Sequence, residues 1–217
     1  MSEIIILANS LKYHGRCVAG IDLRTGEWVR PISRSDHEEV PESVAADFNL
    51  FDIVDIPLTE KQKKYTEFQR ENWYYDENLT WNKMAEADAQ DMKKYLESYL
   101  FYGQSKEVSP EYLKSINKSE WKSLQLLERF VTFTYKEFKN KDGSIDESFS
   151  AIFSENGLKV YLKSTDIMLN KNIKTKKLLG SNVTGNYLIT VSTTPPFVLK
   201  GKTDLACYKL VAGAIKL

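Results

Sequence analysis

The chain has 217 residues, room for one large domain or two small ones of about 100 residues each. Thirty basic residues balance thirty acidic ones, and the content is 28% charged and 42% hydrophobic, an ordinary soluble composition. No run of about 18 apolar residues occurs, which argues against a membrane span, and the start lacks the basic and apolar regions of a secretory signal, so a cytoplasmic location is expected.

The first third reads as β. Residues 3–8 (EIIILA) form a short, continuously apolar run, as in a strand buried on both faces. After the polar turn at 11–15, residues 16–22 alternate and join 27–32 through Arg24-Thr25-Gly26, a hairpin pattern. Pro31 cannot donate to a ladder and marks an edge or end. Residues 51–58 (FDIVDIPL) alternate apolar and acidic side chains with period two. Residues 68–76 are aromatic-rich and read as another strand. Met92, Tyr95, Leu96, Tyr99 and Leu100 recur at helical spacing and predict a helix over 86–102. Ser109-Pro110-Glu111 reads as the N-cap and first turn of a short helix.

The chain then returns to strands. Residues 124–138 hold a long β-prone run, and 149–153 and 158–162 flank Glu155-Asn156-Gly157, a strong hairpin signal. A lysine-rich stretch over 164–185 is expected to be helical in part. Residues 187–192 and 206–216 are the closing strands. Each half therefore offers about five short strands. The fold class expected is mainly β with α insertions: two OB-like five-stranded Greek-key barrels, 1–120 with a helical insertion and 121–217. A single β-sandwich is the alternative.

The zero net charge hides an asymmetry. Residues 36–60 carry eight acidic side chains and no Lys or Arg, whereas 159–209 carry nine lysines against Asp166 and Asp204. The basic tract could hold phosphates, or simply be solvated surface. Cys17 and Cys207 lie within apolar strand patterns and are expected to be buried, reduced thiols.

The polar residues set among the strands are the candidate contacts. Lys12, Arg16, Arg30 and Arg34 suit phosphates, and Tyr13 and Trp28 suit stacking on bases. Trp28 in the core and Arg30 on a nearby carboxylate are the structural alternatives. Gln69, Glu71 and Asn72 could read base edges or satisfy backbone groups between the barrels. Lys209, in an otherwise apolar strand, either snorkels or faces an anion. The expectation is that Lys12, Arg16, Arg30 and Lys209 meet on one phosphate-binding face. His14 and His37 lack metal-ligand spacing, there is no Cys-x-x-Cys, and no phosphate-cradling glycine loop occurs. No catalytic residues, metal or cofactor are expected.

These blocks resemble the dual OB-containing domain family of bacterial and archaeal proteins. The resemblance rests on Ala8-Asn9-Ser10, Lys12, Arg16-Cys17-Val18-Ala19-Gly20, Trp28-Val29-Arg30-Pro31 and Gln69-Arg70-Glu71-Asn72. It continues in Leu188-Ile189-Thr190-Val191-Ser192, Phe197, and Tyr208-Lys209-Leu210-Val211-Ala212. It spans the whole length and departs from the family pattern at residues 193–195. It implies two OB-like barrels and a nucleic-acid-related role beside nucleases, helicases or defence genes. The function expected is non-enzymatic binding of nucleic acid or a nucleotide, as an accessory of a nucleic-acid-processing or defence system. A protein-interaction adaptor and an enzyme acting on a nucleotide or modified base are the rivals.

Overall fold

The computed structural model describes residues 1–63, 68–140, 142–178, 183–199 and 201–217; of Ser119 and Leu178 only the backbone is described. Lys200 of the basic tract and residues 179–182 of the lysine-rich stretch lie outside the described residues. The fold is mainly β, in two sheets.

The first sheet is built from β1 (Ser2–Lys12), β2 (Gly15–Asp22), β3 (Trp28–Ile32), β4 (Asp52–Ile56), β5 (Leu58–Lys61), β6 (Asn72–Tyr75) and β7 (Asn82–Glu86), with a short helix α1 (Glu42–Ala45) between β3 and β4. Its order is β5-β6-β3-β2-β1-β4-β7, curled into a half-barrel. Only Pro57 separates β4 from β5, so the strands at opposite sides of the curl are halves of one interrupted strand. Proline lacks the N–H that would continue the ladder.

The second sheet comprises β8 (Glu107–Val108), β9 (Leu124–Lys139), β10 (Ile145–Glu155), β11 (Leu158–Ser164), β12 (Val183–Thr193), β13 (Phe197–Val198) and β14 (Leu205–Lys216). Strands β11-β10-β9-β12-β14 follow one another, and a parallel pairing of β11 with β14 closes the ring into a five-stranded barrel. Helices α2 (Pro110–Ser115) and α3 (Ile167–Leu178) precede β9 and link β11 to β12. Ser109 caps α2 as the sequence predicts, its Oγ accepting from Tyr112 N at 3.1 Å. Glu155 pairs with Leu158 across Asn156-Gly157, and both turn residues have positive φ, 51° and 79°. That is the demand of a two-residue hairpin turn and the reason Asn-Gly marks one.

The apolar run of β1 is buried on both faces, as expected. Ile4 and Ile6 enter the first barrel's core with Val18, Val54 and Trp81. Ile5 and Leu7 point the other way, into a cluster with Met92, Leu126 and Leu188 that joins the barrels. A central strand of one barrel is thus also the apolar floor of the interface.

The expected helix over 86–102 is corrected by the structure. Residue 86 ends β7, a 3-10 helix spans Ala89–Tyr95, and Leu96 is extended and bridges Leu126. The helical spacing is real, but its residues serve different cores. Met92 fills the inter-barrel cluster, and Leu100 belongs to the second barrel's core. Tertiary pairing overrides a weak local propensity here. Among the described residues no helix is long and apolar enough to cross a membrane.

Candidate nucleic-acid interface

The wall between the barrels is a buried polar network centred on Arg30. Its side chain is 2% exposed, on β3. Nη1 pairs with Glu71 Oε1 at 2.6 Å and donates to Asn72 Oδ1 at 3.1 Å. Nη2 donates to Ser123 Oγ at 3.1 Å and Ser192 Oγ at 3.2 Å, both in the second half of the chain. Ser123 Oγ donates in turn to the Glu71 carboxylate. Asn72 Nδ2 donates to Gln62 Oε1 at 2.9 Å and Gln69 Oε1 at 3.3 Å, while Gln69 Nε2 reaches the Thr193 carbonyl at 3.3 Å. The guanidinium is the group for such a hub, because its planar fork serves several acceptors at once. Arg30 is therefore engaged with a nearby carboxylate, and Gln69 and Asn72 with the groups between the barrels, in each case the structural alternative to ligand contact.

The other predicted cations divide. Arg16 donates Nε to Glu42 Oε2 at 3.0 Å and a second bond to Oε1. That bond holds the Glu42 carboxyl below its usual range. Lys209 is 2% exposed, its Nζ donating to the carbonyls of Phe101, at 3.0 Å, and Gly103. Burial pushes its pKa down to about 8, against the attraction of Glu155. The expected convergence of Lys12, Arg16, Arg30 and Lys209 on one face is thus corrected. Burial of a cation demands a partner, and three of the four find theirs inside the protein. Arg34 pairs with Glu60 at 2.9 Å on the surface.

On one side of the Arg30 wall runs an open groove of about 630 Å³. Glu71 and Ser123 of the network form part of its lining, with Ile21 and Trp28 from the β2–β3 hairpin. Trp28, Tyr95 and Trp121 line it and are half-buried. The Trp28 ring also packs against the Ala8–Leu124 cluster, so it is at once a core residue and a groove residue. Trp121 is fixed by its indole N–H, which donates to the Leu113 carbonyl at 2.6 Å. Lys61, Arg70, Lys94 and Lys122 stand exposed among these rings. Facing them are Glu27, Glu97 and the Arg30-paired Glu71, with Lys122 bonded to Glu97 at 2.8 Å. Of the candidate residues named from the sequence, Trp28 and Glu71 are here. Sequence reasoning missed Tyr95, Trp121 and the four cations, although Lys94-Tyr95 and Trp121-Lys122 are adjacent cation–aromatic pairs.

On the other side lies a cleft of about 430 Å³ between the barrels, lined by the predicted residues Lys12, Tyr13, Arg30 and Gln69. Tyr13 stands 64% exposed in the β1–β2 turn, at φ 49°, and stacks on His37 with ring centroids 4.1 Å apart. The expectation that both cysteines are buried is corrected for Cys17, which is half-buried and lines this cleft; Cys207 is buried, on β14 against Val108 and Leu113, where burial raises its thiol pKa to about 12. Both cysteines are free thiols.

A family model described as a dual OB-containing domain matches residues 2–214. No curated protein and no solved structure gives a significant match to the chain.

Proposed function

The chain belongs to the dual OB-containing domain family, and from that premise we propose that it binds single-stranded nucleic acid along the groove between Trp28 and Trp121. One observation carries this reading: three half-buried aromatic rings interleave with four exposed cations beside the β2–β3 hairpin. Barrels of this type bind strands on that face, and stacking platforms with a cationic track suit an unpaired strand, whose bases are free to stack. The reading makes the protein a non-catalytic, cytoplasmic accessory of a nucleic-acid-processing or defence system. Its unpaired thiols suit a reducing compartment.

Fluorescence polarisation with labelled single- and double-stranded DNA and RNA, at two salt concentrations, tests it. Single strands should bind more tightly than duplex. Trp121→Ala should cost about 1–3 kcal/mol of binding, and Arg70→Ala should flatten the salt slope by about 0.7. A wild type that binds no strand at low salt refutes the proposal. It would favour the adaptor reading, for which one observation speaks: Phe197, Val198, Leu199 and Leu205 leave an apolar surface exposed around β13 and the start of β14.

A further inference from the structure

We infer that the inter-barrel cleft is a second, separate site, for an uncharged planar heterocycle with hydrogen-bonding edges: a nucleobase or nucleoside. The cleft's size, about 430 Å³, falls within the range of small-molecule pockets. At its rim the Tyr13–His37 stack offers a preformed aromatic platform, with both residues exposed. The platform is held at a cost, since Tyr13 adopts left-handed backbone geometry in a two-residue turn where glycine or asparagine is the usual occupant. Such a local conflict with sequence preference is a mark of functional sites.

Deeper in, the polar groups are donors awaiting an acceptor. Ser192 is 8% exposed and its Oγ accepts from Arg30. Thr194 Oγ1 accepts from Tyr208 N at 2.9 Å. Each hydroxyl, accepting in these bonds, keeps its own proton to donate, whereas the partnerless Nε of Arg30 is sealed behind the cleft wall. Ring carbonyl and ring nitrogen atoms of a base supply such acceptors. The charges select against phosphate. Arg30 is neutralised by Glu71, which leaves Lys12 facing Asp36 and Glu38. A polyphosphate would meet more negative than positive charge, whereas a neutral ring meets none of that repulsion.

The site is separate from the strand-binding groove, because the Arg30 network stands between them. It therefore stands or falls independently of the proposed function. Cys17 provides the readout: it lines the cleft, and the fully buried Cys207 is an internal control. The experiment measures iodoacetamide alkylation of Cys17 by peptide mass spectrometry, with each of the four ribonucleosides, their triphosphates and a single-stranded oligonucleotide, alongside equilibrium dialysis of the nucleosides.

At least one nucleoside should bind saturably and slow Cys17 alkylation, more effectively than its triphosphate. Tyr13→Ala, at an exposed position, should weaken that binding on the order of tenfold and leave oligonucleotide binding unchanged. Trp121→Ala should do the reverse. The inference is overturned if no nucleoside slows alkylation, if triphosphates bind more tightly than nucleosides, or if Trp121→Ala weakens nucleoside binding as much as Tyr13→Ala. It is also overturned if the oligonucleotide alone protects Cys17, since the cleft would then belong to the strand.

Discussion

Arg30 shows how far a single charged side chain can be drawn from solvent when every element around it supplies a partner. Removing it leaves the Glu71 carboxylate, 8% exposed, without its cation. Breaking a buried pair on one side costs about 3–5 kcal/mol, so Arg30→Ala should lower unfolding stability in urea by that amount. Adding Glu71→Gln should recover part of it, because the stranded charge is gone. Oligonucleotide affinity below the melting transition should fall as well, because the unpaired Glu71 carboxylate lines the strand-binding groove, and Glu71→Gln should restore part of it. Lys209 makes a pH-dependent case. Its folded pKa of about 8 lies below the ordinary 10.5, so between those values the unfolded chain binds more protons and stability rises with pH. Cys207 acts oppositely. Its thiol is raised from 9.0 to about 12, so above pH 9 the folded chain holds the extra proton and stability falls as pH rises. The Lys209 contribution is therefore cleanest from pH 8 to 9. Wild-type stability should rise across that interval, and Lys209→Met should abolish the rise in urea titrations at fixed pH steps.

At the scale of elements, most of the polar punctuation in the sequence turns out to be wiring between strands and helices. Asp166 precedes α3 and, with Asp204, is one of the two acids of the basic tract. Its Oδ1 accepts from Leu169 N at 2.9 Å, capping the helix, and its Oδ2 accepts from Ala214 N at 3.0 Å, tying that helix start to β14. Burial raises its pKa while these backbone donors oppose the shift. Asp166→Ala removes both acceptors and should cost about 1–3 kcal/mol, measured by thermal and urea unfolding; Asp166→Asn should cost less, since one acceptor oxygen remains. Elements whose signal is local were legible beforehand: the two-sided burial of β1, the Asn156-Gly157 turn, the Ser109 cap and the period-two alternation of β4, where Val54 and Ile56 are buried and Ile53 and Asp55 only half-buried. The helix over 86–102 was misread because periodicity records apolar positions, not which core receives them. The site was legible in part for a similar reason. Lys12 and Tyr13 advertise themselves in a turn, but nothing in one dimension reveals that Arg30 meets Ser123 and Ser192, or that Trp28, Tyr95 and Trp121 share a groove.

The whole molecule depends on two irregular strands meeting back to back. The β1–β2 ladder shifts register between Ile6 and Ala8, and the β12–β14 ladder shifts between Thr190 and Val191. At that meeting point Thr190 Oγ1 donates to the Leu7 carbonyl at 2.6 Å, a bond between the barrels. Bulges leave such carbonyls outside their own ladder, and here a hydroxyl of the other barrel takes one up. Gly213 makes the approach sterically feasible: a Cβ there would lie 2.2 Å from the Leu7 oxygen and 3.3 Å from Ala8 Cα, both backbone atoms that cannot rotate away. Gly185, on neighbouring β12, is the control, since a Cβ there would come closest to a flexible Lys216 side chain, at 3.3 Å. Gly213→Ala should therefore cost about 1–3 kcal/mol by forcing the barrels apart, and Gly185→Ala should be near neutral. Because Trp28 comes from one barrel and Trp121 from the segment entering the other, opening the seam should also weaken oligonucleotide binding in Gly213→Ala, although Gly213 does not line the groove. Calorimetric unfolding and polarisation on the two variants decide the matter. If Gly213→Ala melts and binds as the wild type does, the seam yields without cost and the groove does not depend on how the barrels meet.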